Sequence, residues 1–232
     1  MSAGQPIRAV LLDLDGTLLD TAPDMANALN LLRSERGATV LPYQEIRPHV
    51  SHGAAAMIRL GFPAATDEQV VDLRARFLEL YREHLSAGTR LFDGFEQVLA
   101  ALEGRGIPWG IVTNKPAFLT EPLLAALELH ERAACVVSGD TVGQRKPHAA
   151  PMLHAAKLLA REPEHCLYVG DAQRDVQAAR AAGMRVVVAL FGYLAESDRP
   201  ESWEADALIG SPAALLEWIG LQDATQDRGA AP

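Results

Sequence analysis

Short apolar runs recur along this chain, and each stops abruptly at polar or turn-forming residues. Ile7–Leu12 (IRAVLL) gives way to Asp13-Leu14-Asp15-Gly16-Thr17, and Ile107–Val112 (IPWGIV) to Thr113-Asn114-Lys115-Pro116. Ala133–Val137 (AACVV) ends at Ser138-Gly139-Asp140, His165–Val169 (HCLYV) at Gly170-Asp171, and Arg185–Leu190 (RVVVAL) before Phe191-Gly192. Runs of this length, rich in Val and Ile and closed by turn residues, predict buried parallel strands. Between most of them apolar residues fall at helical spacing, over Phe95–Gly104, Leu119–Leu127, Pro151–Ala160 and Arg174–Ala182. The last of these stops at Gly183, a natural position for the left-handed residue that ends a helix. Alternating strand and helix predicts an α/β domain whose parallel sheet is covered on both faces.

One stretch breaks the alternation. From Leu18 to about Thr89 no strand is predicted; Pro23–Arg36, Gly53–Leu60 and Asp67–Leu85 read as helices, punctuated by Gly37, Pro42, Pro48, Gly61 and Pro63. The expected organisation is a core of residues 1–17 and 88–222 with a helical cap, 18–87, inserted after the first strand. The small, polar stretch 223–232 (DATQDRGAAP) is expected to be a disordered tail.

Composition adds exclusions. The 232 residues carry 21 Lys and Arg against 30 Asp and Glu, a net charge of −9, which argues against an extended nucleic-acid surface. No run approaches the ~18 apolar residues that span a membrane. Asp13 interrupts the N-terminal apolar run before it reaches the length of a secretory signal. A cytoplasmic protein is expected, with Cys135 and Cys166 as small buried hydrophobes.

Parallel strands point their carboxyl ends to one edge of the sheet, and ligands bind in the crevice outside that edge. Asp13, Asp15, Thr113, Asn114, Asp171 and Asp175 are therefore expected to converge, with Lys146 from the connection after the third run. Clustered carboxylates with a hydroxyl, an amide and an ammonium suit phosphoryl transfer with Mg2+, which takes oxygen ligands and relieves carboxylate repulsion. One carboxylate can attack phosphorus and a second can move protons. Each residue alone has an ordinary alternative: Asp13 a turn cap, Lys146 a solvated loop lysine, Asp175 a first-turn helix acid.

Taken together, these stretches resemble the phosphatases of the haloacid-dehalogenase-like superfamily. Asp13-Leu14-Asp15-Gly16-Thr17 resembles the first family motif (DxDGT), Thr113 after Gly110-Ile111-Val112 the second, Lys146-Pro147 the third, and Gly170-Asp171 with Asp175 the fourth. Asp13–Thr21 (DLDGTLLDT), Gly110–Pro116 (GIVTNKP) and Val169–Asp175 (VGDAQRD) are most similar to the phosphoglycolate-phosphatase-like branch. Trp109, Gly192-Tyr193, Trp203 and Asp206 are similar to a subgroup of N-acetylmuramic acid 6-phosphate phosphatases. The resemblance implies a Rossmann-like parallel-sheet core with a helical cap inserted after the first strand. It also implies a phosphomonoester hydrolase working through an aspartyl phosphate on a small phosphorylated carboxylate. The implied roles are Asp13 as nucleophile and Mg2+ ligand, and Asp15 as general acid/base lending its backbone carbonyl to the metal. Thr113, Asn114 and Lys146 would bind phosphate, Asp171 would be a further metal ligand, and Asp175 would support it or Lys146. Ala172 departs from relatives that carry an acid or Ser there, which puts one supporting contact in doubt.

Specificity is expected from the cap segment Arg47–Gly53 (RPHVSHG), with Arg47, His49, Ser51, His52 and Gly53 as candidates and Pro48 arguing against helix at Arg47. The competing functions are a phosphorelay receiver, a dehalogenase and a phosphosugar mutase. Asp15 and the insert argue against the first, Asp15 against the second, and nothing in the sequence against the third. The choice between phosphoglycolate and N-acetylmuramic acid 6-phosphate stays open, as does the oligomeric state.

Overall fold

The computed structural model describes residues 6–220; the expected tail, 223–232, lies outside them. The chain runs β1 (Ala9–Leu12), β2 (Leu19–Asp20), α1 (Ala22–Glu35), α2 (Tyr43–Ile46), a 3-10 helix (Arg47–His52), α3 (Gly53–Gly61), α4 (Asp67–Glu83) and β3 (Arg90–Leu91). There follow α5 (Phe95–Gly104), β4 (Trp109–Val112), α6 (Ala117–Ala126), β5 (Cys135–Val137), α7 (Ala150–Leu158), β6 (Cys166–Gly170), α8 (Gln173–Ala181), β7 (Arg185–Ala189), β8 (Ala207–Ile209) and α9 (Pro212–Trp218).

Six strands form a parallel sheet in the order β5-β4-β1-β6-β7-β8. Alternate residues of each strand enter opposite layers, as the two-residue strand period requires. Val10, Leu12, Trp109, Ile111, Leu167, Val169 and Val187 join one hydrophobic cluster, which continues into α5, α9 and the cap helices. Ala9, Leu11, Val112, Cys135, Cys166, Tyr168 and Val186 join the other, against Met152 and Ala155 of α7 and Val176 and Ala179 of α8. Both cysteines are free and buried there, and burial pushes their thiols up to about 12 (Cys135) and about 11 (Cys166). After β1 the chain builds outward through β4 and β5, then returns to the other side of β1 with β6. The sheet therefore has its switch point beside β1, where a ligand crevice belongs.

The helical cap rises between β2 and β3, which pair antiparallel as a two-stranded ribbon. These two-residue strands were not expected from the sequence; each is too short to show a period. At its base Asp24 of α1 accepts hydrogen bonds from Gly88 N–H (2.8 Å), Thr89 N–H (2.8 Å) and Thr89 Oγ1 (2.7 Å), tying the cap's exit to its entry. Helix α4 starts with a reciprocal cap: Thr66 Oγ1 accepts from Gln69 N–H and Gln69 Oε1 from Thr66 N–H. Two expectations are corrected. The segment from Arg47 is a 3-10 helix, not a loop, because Pro48 falls in its first turn, where a missing N–H costs nothing. β8 and α9 extend the sheet past the last predicted strand; β8 has only three residues and Leu208 is exposed, so no buried run marks it.

Candidate active site

Asp13 directly follows β1, its N–H bonded to Val169 O of β6 at 2.8 Å, so sheet pairing itself fixes the carboxylate at the switch point. Asp171 follows β6 on the neighbouring strand end, and Asp175 sits in the first turn of α8. Ligand atoms of these three buried carboxylates lie within 4.8 Å of one another. Lys146 Nζ lies among them, 2.7 Å from Asp13 Oδ1, 2.8 Å from Asp175 Oδ1 and 2.8 Å from Tyr168 Oη, to which it donates. Tyr168 in turn donates to Val112 O at 2.8 Å. Asn114 fixes the lysine's backbone, donating to Lys146 O (2.9 Å) and accepting from Lys146 N–H (3.0 Å). Its side-chain amide thus positions Lys146 through one N–H and its oxygen, and Asn114 also lines the cavity between core and cap. Ala172 has no polar side chain to offer, and its N–H donates to Asp175 Oδ2 at 3.0 Å.

Close backbone approach lets these groups crowd. Gly16 holds φ +83°, and a Cβ there would fall 2.1 Å from Asp171 Oδ2 and 2.9 Å from Ser51 Oγ. Asp171 Oδ2 accepts from Ser51 Oγ (2.6 Å) and Tyr193 N–H (2.9 Å), whereas its buried Oδ1 has no partner among the described residues. Burial, with repulsion from Asp13 and Asp175, raises the Asp171 carboxyl to about 7. Burial also raises Asp13 to about 6, against the pull of Lys146. An orphaned oxygen on a buried carboxylate, with two further carboxylates within 4.8 Å, is a donor set that suits a hard divalent cation, and these residues fit one.

In front of this cluster a cavity of about 780 Å³ opens between core and cap, within the range of ligand pockets. Asp13, Asp15, Thr113 and Asn114 line its core wall, with Lys115, Arg145 and Arg174. Asp15 Oδ1 accepts from Thr21 Oγ1 (2.7 Å) and Lys115 Nζ (2.9 Å). The cap wall carries Ser51, His52, Gly53, Val70, Val71, Arg74, Leu78 and Tyr81. Lys146, Asp171 and Asp175 lie beneath the cavity floor; all three are buried.

The cap candidates divide. Ser51, His52 and Gly53 line the cavity, whereas Arg47 and His49 do not. Arg47 donates to the carbonyls of Gly192 and Phe191 (both 3.1 Å), and its guanidinium lies 4.9 Å from the Tyr193 ring centroid. It docks the cap on the core, because the 3-10 turn directs it toward the loop after β7. His49 faces His52, their rings 6.2 Å apart. Burial and Arg174 lower the pKa of His52.

Lys115, Arg174, Arg74 and Tyr81 did not emerge from the sequence. Lys115 is buried, and Asp15 and Tyr81 outweigh the burial that opposes its charge, so its ammonium is held well above the ordinary range. Arg174 is half-buried; against that burial Asp175, Asp13 and Asp171 hold its charge in place. Both stand within stretches already marked by motifs, Lys115 two residues past Thr113 and Arg174 between Asp171 and Asp175. That adjacency was the available signal.

An open parallel sheet with buried carboxylates at its switch point, facing a cavity under a helical cap, defines the class as a capped α/β enzyme with its site at the strand ends. The profile of the haloacid dehalogenase-like hydrolases matches residues 10–189, and the chain belongs to that family as one of its phosphatases. It is 46% identical over 213 residues to a phosphoglycolate phosphatase of Xanthomonas campestris pv. campestris (strain 8004), covering 90% of this chain and 95% of that one. It is 38% identical over 212 residues to an N-acetylmuramic acid 6-phosphate phosphatase of Pseudomonas aeruginosa (strain PAO1), covering 91% and 94%. The crystal structure of a "predicted phosphoglycolate phosphatase" from Haemophilus somnus 129PT superposes with a TM-score of 0.82 at 25% identity, covering 91% and 97%. Among the described residues no helix is long and apolar enough to cross a membrane.

Proposed function

We propose that the chain is a Mg2+-dependent cytoplasmic phosphatase that hydrolyses phosphomonoesters of small carboxylic acids through an aspartyl phosphate on Asp13, as in phosphoglycolate phosphatases. The observation that carries this is the buried set Asp13, Asp171 and Asp175 around Lys146, with Asp13 facing a cavity and Asp171 Oδ1 unpartnered. Asp13 and Asp171 would hold the metal with the Asp15 backbone carbonyl, and residues 18–87 would form the cap. Bound there, Mg2+ neutralises carboxylate and phosphoryl charge so that an anion can approach an anion.

In the first step an Asp13 oxygen bonds to phosphorus. The ester P–O bond breaks, its electron pair goes to the alcohol oxygen, and that oxygen takes the proton of Asp15. In the second step Asp15 takes a proton from water, whose oxygen bonds to phosphorus while the Asp13 O–P bond breaks; its electron pair returns to the Asp13 carboxylate and phosphate leaves. Thr113 and Arg174, both on the cavity wall, hold the phosphoryl oxygens. Lys146, already engaged with Asp13 and Asp175, acts from below by fixing the nucleophile. The substrate carboxylate meets Arg74, exposed on the cap wall without a partner among the described residues, together with His52 and the amides that open α3.

A second reading rests on the cavity. At about 780 Å³, with Met25, Val70, Val71, Leu78 and Phe118 in its lining, it offers more apolar room than a two-carbon acid fills. This favours a bulkier phosphorylated sugar acid, of which N-acetylmuramic acid 6-phosphate is the form suggested by a relative. Phosphate release from phosphoglycolate, N-acetylmuramic acid 6-phosphate and uncharged sugar phosphates, with and without Mg2+, tests both. The expected result is Mg2+-dependent turnover highest on a carboxylated ester. A preference for uncharged sugar phosphates would overturn the carboxylate assignment, and turnover in chelator would overturn the metal.

A further inference from the structure

Lys115 joins three separate parts of the chain at one nitrogen. Its Nζ is 2.9 Å from Asp15 Oδ1 in the loop after β1, and it donates at 2.9 Å to Tyr81 Oη on cap helix α4. The ammonium also lies 4.5 Å from the Tyr81 ring centroid. Lysine and tyrosine are both buried, at 7% and 1% exposure, so neither is a surface pairing screened by water. Phe77, one helical turn back on α4, stacks on Tyr81 at 6.3 Å and 9°, which fixes the ring. The second acceptor bond on Asp15 Oδ1 comes from Thr21, at the root of the cap. Both polar contacts therefore fall on the same oxygen, and Oδ2 has no partner among the described residues.

The cost of this arrangement says what it is for. A buried ammonium stripped of a partner is strongly unfavourable. If α4 moves off the core, Lys115 loses its hydroxyl and its aromatic face and gains water, and its grip on Asp15 loosens. With α4 seated, Oδ1 is held on the side of Thr21 and Lys115, and Oδ2 is left for the cavity. We propose that Lys115 is a positioning residue that makes the aim of Asp15 depend on seating of the cap through Tyr81. This rests on the reading of Asp15 as the acid that protonates the leaving oxygen. It adds that proton delivery is completed only under a closed cap, which protects the reaction from premature entry of water.

The test is single-turnover phosphorylation of the full-length enzyme with Mg2+, using an alkyl and an aryl phosphate. An aryl oxide leaves readily and needs little help from an acid; an alkoxide needs it fully. Lys115→Met is expected to slow the alkyl ester about 30-fold or more and the aryl ester about 5-fold or less. Tyr81→Phe keeps the ring and its stack on Phe77, and is expected to slow the alkyl ester about 3- to 10-fold with the same bias. The double variant should be no slower than Lys115→Met alone, because Tyr81 acts through the lysine. A merely structural role would slow both esters equally and give additive losses, and either result overturns the proposal. Should Lys115→Met not fold, Tyr81→Phe alone decides through the alkyl-to-aryl ratio. Asp15→Asn separates the two levels. If it shows the alkyl bias and Lys115→Met and Tyr81→Phe do not, the coupling fails alone; if Asp15→Asn shows none, the acid assignment fails first.

Discussion

The two walls of the cavity are built on different principles. On the core wall and beneath it, charges are dense, buried and tied to one another: Asp13, Lys146, Asp175 and Tyr168 form an unbroken chain of contacts shorter than 3 Å, drawn from the end of β1, the connection after β5, α8 and β6. On the cap wall the lining is largely apolar, and the charged group, Arg74, is exposed and unpaired among the described residues. Rigid, densely bonded charge suits a reaction whose geometry is the same for every phosphate ester. A looser wall whose cation, Arg74, has no partner among the described residues suits choosing among the organic parts of those esters. On the proposed function, chemistry and selection are lodged in separate pieces of chain, joined through Ser51–Asp171, Lys115–Tyr81 and the contacts of Arg47 with the loop after β7, among other contacts.

The sharpest way to break that division is to remove the attacking charge from the core wall. Asp13→Asn preserves shape but deletes nucleophile and ligand, and turnover on every ester, alkyl or aryl, should fall at least about a thousandfold. A loss confined to some substrates would mean that the core wall also selects. The check is steady-state phosphate release by the folded variant across the same panel.

A second effect belongs to the packing of carboxylates. Asp171 is raised from the ordinary 3.8 to about 7, mainly by burial. Between those values the native state holds a proton that the unfolded chain has released, so metal-free stability falls as pH rises from about 4 to 7. Asp171→Asn removes that penalty. In chelator the variant should be more stable than the wild type by up to about 4 kcal/mol above pH 7, and by little at pH 4. Added Mg2+ should close the gap by stabilising the wild type, since binding to the native state alone raises stability. Urea midpoints at pH 4.5 and 7.5, with and without Mg2+, measure this. A gap of the same size at both pH values would mean that the site does not strain its carboxylates.

The core wall was legible in the sequence because strand ends are. A run such as Ile7–Leu12 terminating in Asp13 states both where the strand stops and which edge the carboxylate faces, and parallel pairing does the rest. The cap wall was not. Arg47 stands in a segment rich in polar groups, yet its direction is set by a 3-10 turn and by carbonyls of residues 191 and 192, far away in sequence. Lys115 looks like the third residue of a turn; only the arrival of α4 from the cap makes it a buried bridge. Arg74 belongs to a regular amphipathic helix, and which exposed position of α4 overlooks the cavity depends on how that helix docks. Contacts between elements distant in sequence leave no local pattern to read.

That distinction yields the smallest and most discriminating prediction. Arg47 and Arg74 are both cap arginines, and the sequence alone favoured the first for substrate recognition. The structure gives Arg47 two backbone carbonyls and the Tyr193 ring, and leaves Arg74 facing the cavity. A carboxylate meeting an exposed guanidinium gains on the order of 1 kcal/mol, less than a buried pair would give. Arg74→Ala should therefore raise KM for the preferred carboxylated ester about 5- to 10-fold and change p-nitrophenyl phosphate less than about twofold. Arg47→Ala should do the opposite in kind: it loosens the cap from the loop after β7, lowering Tm and slowing both substrates by a similar small factor. Paired kcat/KM values and thermal melts decide. If Arg47→Ala proves the selective variant, the cap turns toward the substrate by a different face, and selection lies with the 3-10 segment and not with α4.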